Sequence, residues 1–380
     1  MNIFKPILDF IKYSDKILWL TIICISVYSL LLVKSISRET FNYFTVQFLS
    51  VTIGLLGASF LEMLDYKVLS SWWKWISLVG IALIMCTLFI GVKVEGSMGI
   101  NAKAWIRLPG GITFQPSELV KIGFIVTFSK HLAEVKKSNG FKNFKSIVLI
   151  VLHALIPVVL THLQGDDGAA IIFLCIAVTM TFMAGLPIKY FVFSLVLFVL
   201  SLPIMWNFVL ADYQKKRILT QTNPEADPLN MGYQQIQGKL SIGSGGIFGY
   251  GLFKGPRVAN GVVPVQESDF IFSAAGEELG FIGCLAILVL ILILVFRIGF
   301  IARICGDDIG SFICFGMMGL IISQTIFNIG MCLSLLPVMG VTLPFFSVGG
   351  SSAACLYLGI GIVESVYLNR ECTKKISDIS

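Results

Sequence analysis

Residues 270–297 read FIFSAAGEELGFIGCLAILVLILILVFR, and between Glu278 and Arg297 this stretch carries no charge at all. An α-helix rises about 1.5 Å per residue, so the uncharged part alone comes close to the roughly 30 Å thickness of a bilayer's hydrocarbon layer. Working outward, similar apolar runs stand near 17–33, 43–61, 72–91, 114–133, 146–163, 169–186, 189–210, 309–334 and 346–368. Together they predict an all-α integral membrane protein with ten transmembrane helices. The run near 114–133 departs most from the pattern, because Glu118 and Lys121 sit inside it. Composition agrees: of 380 residues 56% are hydrophobic and 13% charged, and mean hydropathy is +0.87. Soluble domains carry about 25% charged residues, so an ordinary water-soluble enzyme is excluded.

The net charge of +6 is a topology signal. With the N-terminus in the cytoplasm, sixteen Lys and Arg fall in inner segments and five in short outer loops, which places both termini inside. The basic residues form no single stripe, so no nucleic-acid partner is expected. The first apolar run has no small-residue cleavage pattern after it and reads as a retained span. None of the nine cysteines forms a C-x-x-C pair, and most lie within apolar runs, as small core residues do.

One connection is long. Residues 211–269 form a predicted extracellular loop between the seventh and eighth spans, and loops of that size usually have a task. The loop turns glycine-rich from Gly238 to Gly255 but keeps apolar residues such as Ile242, Ile247 and Phe248, which suit packing on the membrane face. Its glycines lack the spacing of a phosphate-binding loop.

Ionisable groups in or beside a membrane span are expensive and are the first candidates for chemistry. Glu118 and Lys121 share a helix face at i, i+3, either as an ion pair between helices or with Lys121 presented to an anionic headgroup. Asp166 and Asp167 occupy an outer turn, where they are either solvated or contribute to a divalent cation site. Asp269 ends the long loop at the membrane boundary. A carboxylate there is desolvated enough to serve as a general base, or it caps the eighth helix. Trp105 is a belt residue or lines a substrate groove. The three histidines, His131, His153 and His162, do not make a metal set.

Taken in order, Lys103-Ala104-Trp105-Ile106, Phe114-Gln115-Pro116-Ser117-Glu118-Leu119, Gln164 to Gly168, Asn223-Pro224 with Asp227-Pro228, and Gly232-Tyr233-Gln234 form a recognisable series. It continues through Gly243-Ser244-Gly245-Gly246, Asp269-Phe270-Ile271-Phe272, Gly276-Glu277-Glu278-Leu279-Gly280, Asn328 with Gly330-Met331, and Leu343-Pro344-Phe345-Phe346-Ser347-Val348-Gly349-Gly350-Ser351-Ser352. Over most of its length the chain resembles the SEDS family (shape, elongation, division and sporulation proteins), which includes RodA and FtsW. The short termini lean toward RodA. The sequence departs from the family pattern at Ala104, within Gln164-Gly165-Asp166-Asp167-Gly168-Ala169, within Val263-Pro264-Val265-Gln266-Glu267-Ser268, and at Val348, and it keeps Asp269.

The resemblance implies a peptidoglycan glycosyltransferase of the bacterial cytoplasmic membrane that polymerises lipid II at its outer face. It implies Asp269 as general base toward the acceptor sugar's 4-hydroxyl, and substrate contacts from Lys103, Trp105, Glu118, Lys121, Arg217, Ser351 and Ser352. Positive charge for the leaving pyrophosphate falls to Lys121, Lys103, Arg217 or a divalent cation (Mg or Mn) near Asp166 and Asp269. A class B penicillin-binding protein and other elongation or division proteins are the implied partners. The competing readings are a lipid II flippase and a non-catalytic scaffold for a penicillin-binding protein.

Overall fold

A computed structural model describes residues 13–37, 41–92, 102–107, 113–226 and 231–370 of the chain. Asp227 and Pro228, singled out above, lie outside the described residues. A helix stands at each of the ten predicted apolar segments: α1 Lys16–Ile36, α2 Phe41–Glu62, α4 Trp73–Ile90 (preceded by the short α3, Tyr66–Ser71), α5 Pro116–Lys137, α6 Phe144–Leu163, α7 Asp167–Met183, α8 Ile188–Ile204, then α12 Ile271–Ile304, α13 Asp308–Cys332 and α14 Gly350–Leu368. The segment 211–269 is ordered by three helices of its own, α9 Asp212–Thr222, α10 Met231–Ser244 and α11 Pro256–Ala259. Two short strands, β1 Ile106–Arg107 and β2 Thr113–Phe114, pair antiparallel just before α5.

Eight of these helices are long and apolar enough to cross a membrane. The other two differ for readable reasons. Helix α7 has 17 residues, and α5 carries charge at both ends, from Glu118 and Lys121 at one and Lys136 and Lys137 at the other.

Packing sorts the helices. The centre is α13 and α14, most of whose residues are buried, with α2, α5, α7 and α12 around them. Helices in lipid gain little from hydrophobicity and associate through close packing, so small residues mark the contacts. A Cβ added to Gly361 of α14 would fall 2.4 Å from the Ala58 carbonyl of α2, so only glycine permits this approach. Helix α8 is the opposite case. None of its residues is buried, as expected of a helix apolar on all sides whose surroundings are lipid.

The glycine-rich stretch has a definite task. Gly280 breaks α12 with φ 65° and ψ −161°, which frees backbone groups at a depth where water is scarce. The loop supplies the partners. Tyr250 N donates to Glu277 O at 3.1 Å and Gly251 N to Glu278 O at 2.8 Å, while Phe281 N and Ile282 N donate to Gly246 O and Ile247 O at 2.9 and 3.2 Å. The long loop is thereby stitched to the first turns of α12, and it carries its last residue, Asp269, to the start of that helix.

Candidate active site

Asp269 is held through its backbone. Its carbonyl accepts from Asn328 Nδ2 of α13 at 2.8 Å, and the same amide group reaches Val341 O at 2.8 Å. Ser347, ahead of α14, donates to Ser268 O at 2.6 Å, and Val348 N donates to Glu267 O at 2.8 Å. The side chain is left freer. Oδ1 accepts from Ser268 Oγ at 3.2 Å, while Oδ2 has no hydrogen bond among the described residues. Asp269 does not cap α12, so the N-cap alternative fails here.

A cavity of about 540 Å³ opens beside it. The cavity gathers Asp269, Asp166, Glu118, Lys121, Arg217 and Trp105, which come from five separate stretches of chain. Ser352 also lines it, at the first turn of α14. Two residues expected beside these stand apart. Lys103 is exposed, and its backbone N–H holds Gln164 O at 3.0 Å. Ser351 Oγ accepts from Gln115 N at 3.1 Å.

Helix α5 starts with Pro116 at its first turn, where a missing N–H costs nothing, and Glu118 faces the positive end of the helix dipole. One turn on, Lys121 Nζ meets Glu118 Oε1 at 2.8 Å, with both side chains almost fully buried. Asp166 caps α7, with Oδ1 accepting from Ala169 N at 3.0 Å and Oδ2 from Gln115 Nε2 at 2.6 Å. Its neighbour Asp167 binds outward, to His162 Nδ1 at 2.7 Å, Gln214 Nε2 at 2.7 Å and Tyr213 OH at 3.4 Å. These contacts fasten α9 over the turn and place Arg217, on the same helix, above the cavity.

Arg217 is only 6% exposed. It stacks on the Tyr213 ring at 5.6 Å, yet its Nε and Nη2 have no hydrogen-bond partner among the described residues. Burial lowers its proton affinity, and the charges of Asp167, Tyr213, Asp166 and Asp269 oppose that. A buried guanidinium with unused donors is suited to an incoming anion.

Asp269 and Asp166 are half-buried. A water-sized molecule reaches them from the cavity, while protein encloses them on the other sides. Desolvation pushes the Asp269 carboxyl up to about 6, opposed by the Ser268 hydroxyl and Arg217 and reinforced by Glu267 and Asp166. Desolvation also raises Asp166, against its bonds from Ala169 and Gln115 and the charge of Lys121. The donor set does not suit a resident divalent cation between the two. Both Asp166 oxygens are engaged by protein donors, and among the described residues no three Asp, Glu, His or Cys side chains converge.

Some lining residues were not singled out from sequence. Tyr43, Thr342 and Gln324 all face the cavity. Gln324 lies in an apolar run beside Ser323 and Thr325 and, unlike Glu118 and Lys121, carries no charge to mark it. Behind α5 lies a second cavity of about 550 Å³, almost wholly apolar, lined by residues such as Trp75, Ile76, Leu119, Val120 and Leu358. Helix α5 thus divides a polar chamber from an apolar groove. His131 and His153 lie together, Nδ1 to Nδ1 at 3.1 Å, away from the polar chamber.

The family profile described as cell cycle protein, covering FtsW, RodA and SpoVE, matches residues 13–371. Peptidoglycan glycosyltransferase MrdB of Escherichia coli K12 is 31% identical over 363 residues, 96% of each chain. Stage V sporulation protein E of Bacillus subtilis is 35% identical over 363 residues, 94% of this chain and 96% of that one. Among solved structures, Thermus thermophilus rod shape determining protein RodA superposes with a TM-score of 0.70 at 26% identity, covering 94% of this chain and 97% of its own. A chain from "Structural coordination of polymerization and crosslinking by a peptidoglycan synthase complex" gives 0.79 at 27% identity, covering 94% and 98%. With its polar chamber built around Asp269 and its length matched almost end to end, this chain belongs to the FtsW, RodA and SpoVE family.

Proposed function

We infer that the protein is a peptidoglycan glycosyltransferase that polymerises lipid II at the outer face of the bacterial cytoplasmic membrane. The observation that carries this reading is Asp269 Oδ2, unbonded and facing a polar cavity, on a carboxyl whose proton affinity is raised to about 6. Such a group is ionised at neutral pH and basic enough to take a proton in a transition state. Asp269 removes the proton of the acceptor's 4-hydroxyl, and that oxygen forms a bond to the donor's anomeric carbon. The bond from that carbon to the lipid pyrophosphate breaks on the opposite side, with inversion. Arg217 faces the departing anion with free donors, whereas Lys121 is already paired to Glu118 and contributes through the field of the pair. The apolar groove behind α5 suits the lipid chain, keeping it in the bilayer while its headgroup enters the chamber.

In this reading α5 and α7 cross the membrane with the eight apolar helices, making ten spans, with both termini cytoplasmic and residues 211–269 outside. Glu118 and Lys121 neutralise each other, which is what allows α5 to cross. A crosslinking class B penicillin-binding protein is the proposed partner, supported by the likeness to a chain of a synthase complex that couples polymerisation and crosslinking.

The test is polymerisation of lipid II by the purified protein with its partner. Asp269→Asn should cut glycan synthesis by about 10²- to 10⁴-fold while staying folded. Normal polymerisation by Asp269→Asn would overturn the mechanism. Retained vectorial lipid movement by that variant, with no glycan made by the wild type, would favour a flippase, and full function in cells without synthesis would favour a scaffold.

A further inference from the structure

Among the described residues, four glutamines are buried with an Oε1 that accepts no hydrogen bond: Gln47, Gln235, Gln266 and Gln324. Three of them are explained by their nitrogens. Gln47 donates to Ser29 Oγ at 2.9 Å, Gln235 to Leu336 O at 3.3 Å and Gln266 to Val258 O at 3.1 Å, so each amide ties two parts of the fold together. Gln324 does not. Neither end of its carboxamide has a hydrogen bond among the described residues, although the residue is 1% exposed, and of the four it alone lines the polar chamber. An unpaired buried amide is a cost that a folded protein normally avoids.

We propose that Gln324 is a substrate-contacting residue on the chamber floor, hydrogen-bonding hydroxyl or acetamido groups of the sugar that presents its hydroxyl to Asp269. This deepens the glycosyltransferase reading and rests on it.

Position supports the assignment. Gln324 lies on α13 one turn from Asn328, whose amide holds the Asp269 carbonyl at 2.8 Å. Four residues of helix span about 6 Å, roughly the width of a sugar ring, so a sugar engaged at Asp269 brings its neighbouring substituents over Gln324. The chemistry narrows the partner. Phosphate oxygens only accept hydrogen bonds and would leave Oε1 unsatisfied, whereas hydroxyl and acetamido groups both donate and accept, as the carboxamide does. The anion is already served by Arg217. Gln324 therefore reads the neutral part of the headgroup, and Arg217 the charged part.

The experiment compares Gln324→Leu and Gln324→Met with wild type in two measurements: lipid II polymerisation, and binding of undecaprenyl pyrophosphate, which has the lipid and the anion but no sugar. Both variants should lower kcat/KM for lipid II by about 10- to 100-fold, the effect of one lost hydrogen bond to a buried group. Both should bind undecaprenyl pyrophosphate as wild type does. Their melting temperatures should equal or exceed that of wild type, because an amide that bonds nothing in the fold has been replaced by an apolar group. Wild-type kinetics in the two variants would overturn the proposal. So would an equal loss of undecaprenyl pyrophosphate binding, or a lowered melting temperature in both, which would mark Gln324 as structural. Failure of the wild type itself to polymerise would instead count against the glycosyltransferase reading, and direct binding of lipid II to wild type and Gln324→Leu would still decide the role of Gln324.

Discussion

Charged groups collect at two opposite ends of the helix bundle, and the two ends use them differently. Away from the chamber, Asp15 accepts from Arg297 at 2.5 Å and from Leu18 N at 2.9 Å, while its own N–H meets Glu364. Ser14 bonds Glu62 at 2.5 Å, and Asp307 holds the Tyr66 hydroxyl and, at 3.4 Å, Lys67. These contacts join the ends of α1, α2, α3, α12, α13 and α14 into a clasp, in which each acidic side chain is bound from within the protein, while Glu62 and Glu364 each keep one enclosed oxygen that accepts no hydrogen bond among the described residues. At the chamber end, Arg217 keeps two unused donors and Asp269 an unused oxygen. The leftover groups at the chamber end line a cavity that a ligand can enter, whereas those of the clasp are enclosed by the fold.

Substitutions can break this contrast. The largest effect is expected from Asp269→Asn, which should abolish most synthesis without loosening the helices, since it removes a desolvated charge and no structural bond from its side chain except that of Ser268. Measured side by side, polymerisation and melting temperature should move independently. A parallel fall in both would mean that Asp269 belongs to the scaffold.

The Glu118–Lys121 pair tests the border between the two uses. Lys121→Met strands a buried carboxylate and should cost about 3 kcal/mol of stability. Adding Glu118→Gln should restore most of that loss. If the pair also shapes the field around the leaving group, polymerisation by the double variant remains roughly tenfold or more below wild type. Recovery of activity together with stability would make the pair a helix clamp only.

Arg297→Met probes the clasp. Asp15 is fully buried, so losing its guanidinium partner should lower stability by about 2–4 kcal/mol, read as a lower melting temperature. The kcat of the fraction that remains folded should not change, because the clasp and the chamber share no residues. A fall in kcat at unchanged KM would show that the two ends are coupled.

Much of this arrangement was legible in the chain. Apolar runs long enough to span a bilayer put a helix at each expected segment, and the cost of charge near lipid singled out Glu118, Lys121, Asp166 and Asp269. The clasp was not legible, because Asp15 and Glu364 are 349 residues apart and nothing local joins them. Nor was the task of the glycine-rich loop: Gly280 reads as one more small residue in an apolar run until its helix break and the loop's donors are seen together. Gln324 escaped because an amide carries no charge to draw attention, although its burial without a partner is as informative as a buried ion. Lys103 is a different case, a basic residue in a promising motif whose side chain is exposed outside the chamber lining while its backbone N–H holds Gln164.

The smallest effect sharpens the contrast through pH. In the proposed mechanism ionised Asp269 is the base, and desolvation pushes its carboxyl up to about 6, so kcat/KM should be level above that value and fall toward tenfold per pH unit below it. Stability should move the other way at this residue. An unfolded Asp titrates near 3.9, so the folded protein binds this proton more tightly, and protonation between about pH 6 and 4 stabilises the fold. Other carboxylates titrate over the same range. The difference in melting temperature between wild type and Asp269→Asn isolates the contribution of Asp269, and it should narrow as pH falls. Activity lost to acid while that gap closes marks titration of the base. Activity lost with no change in that gap would place the acid-sensitive group at a residue other than Asp269.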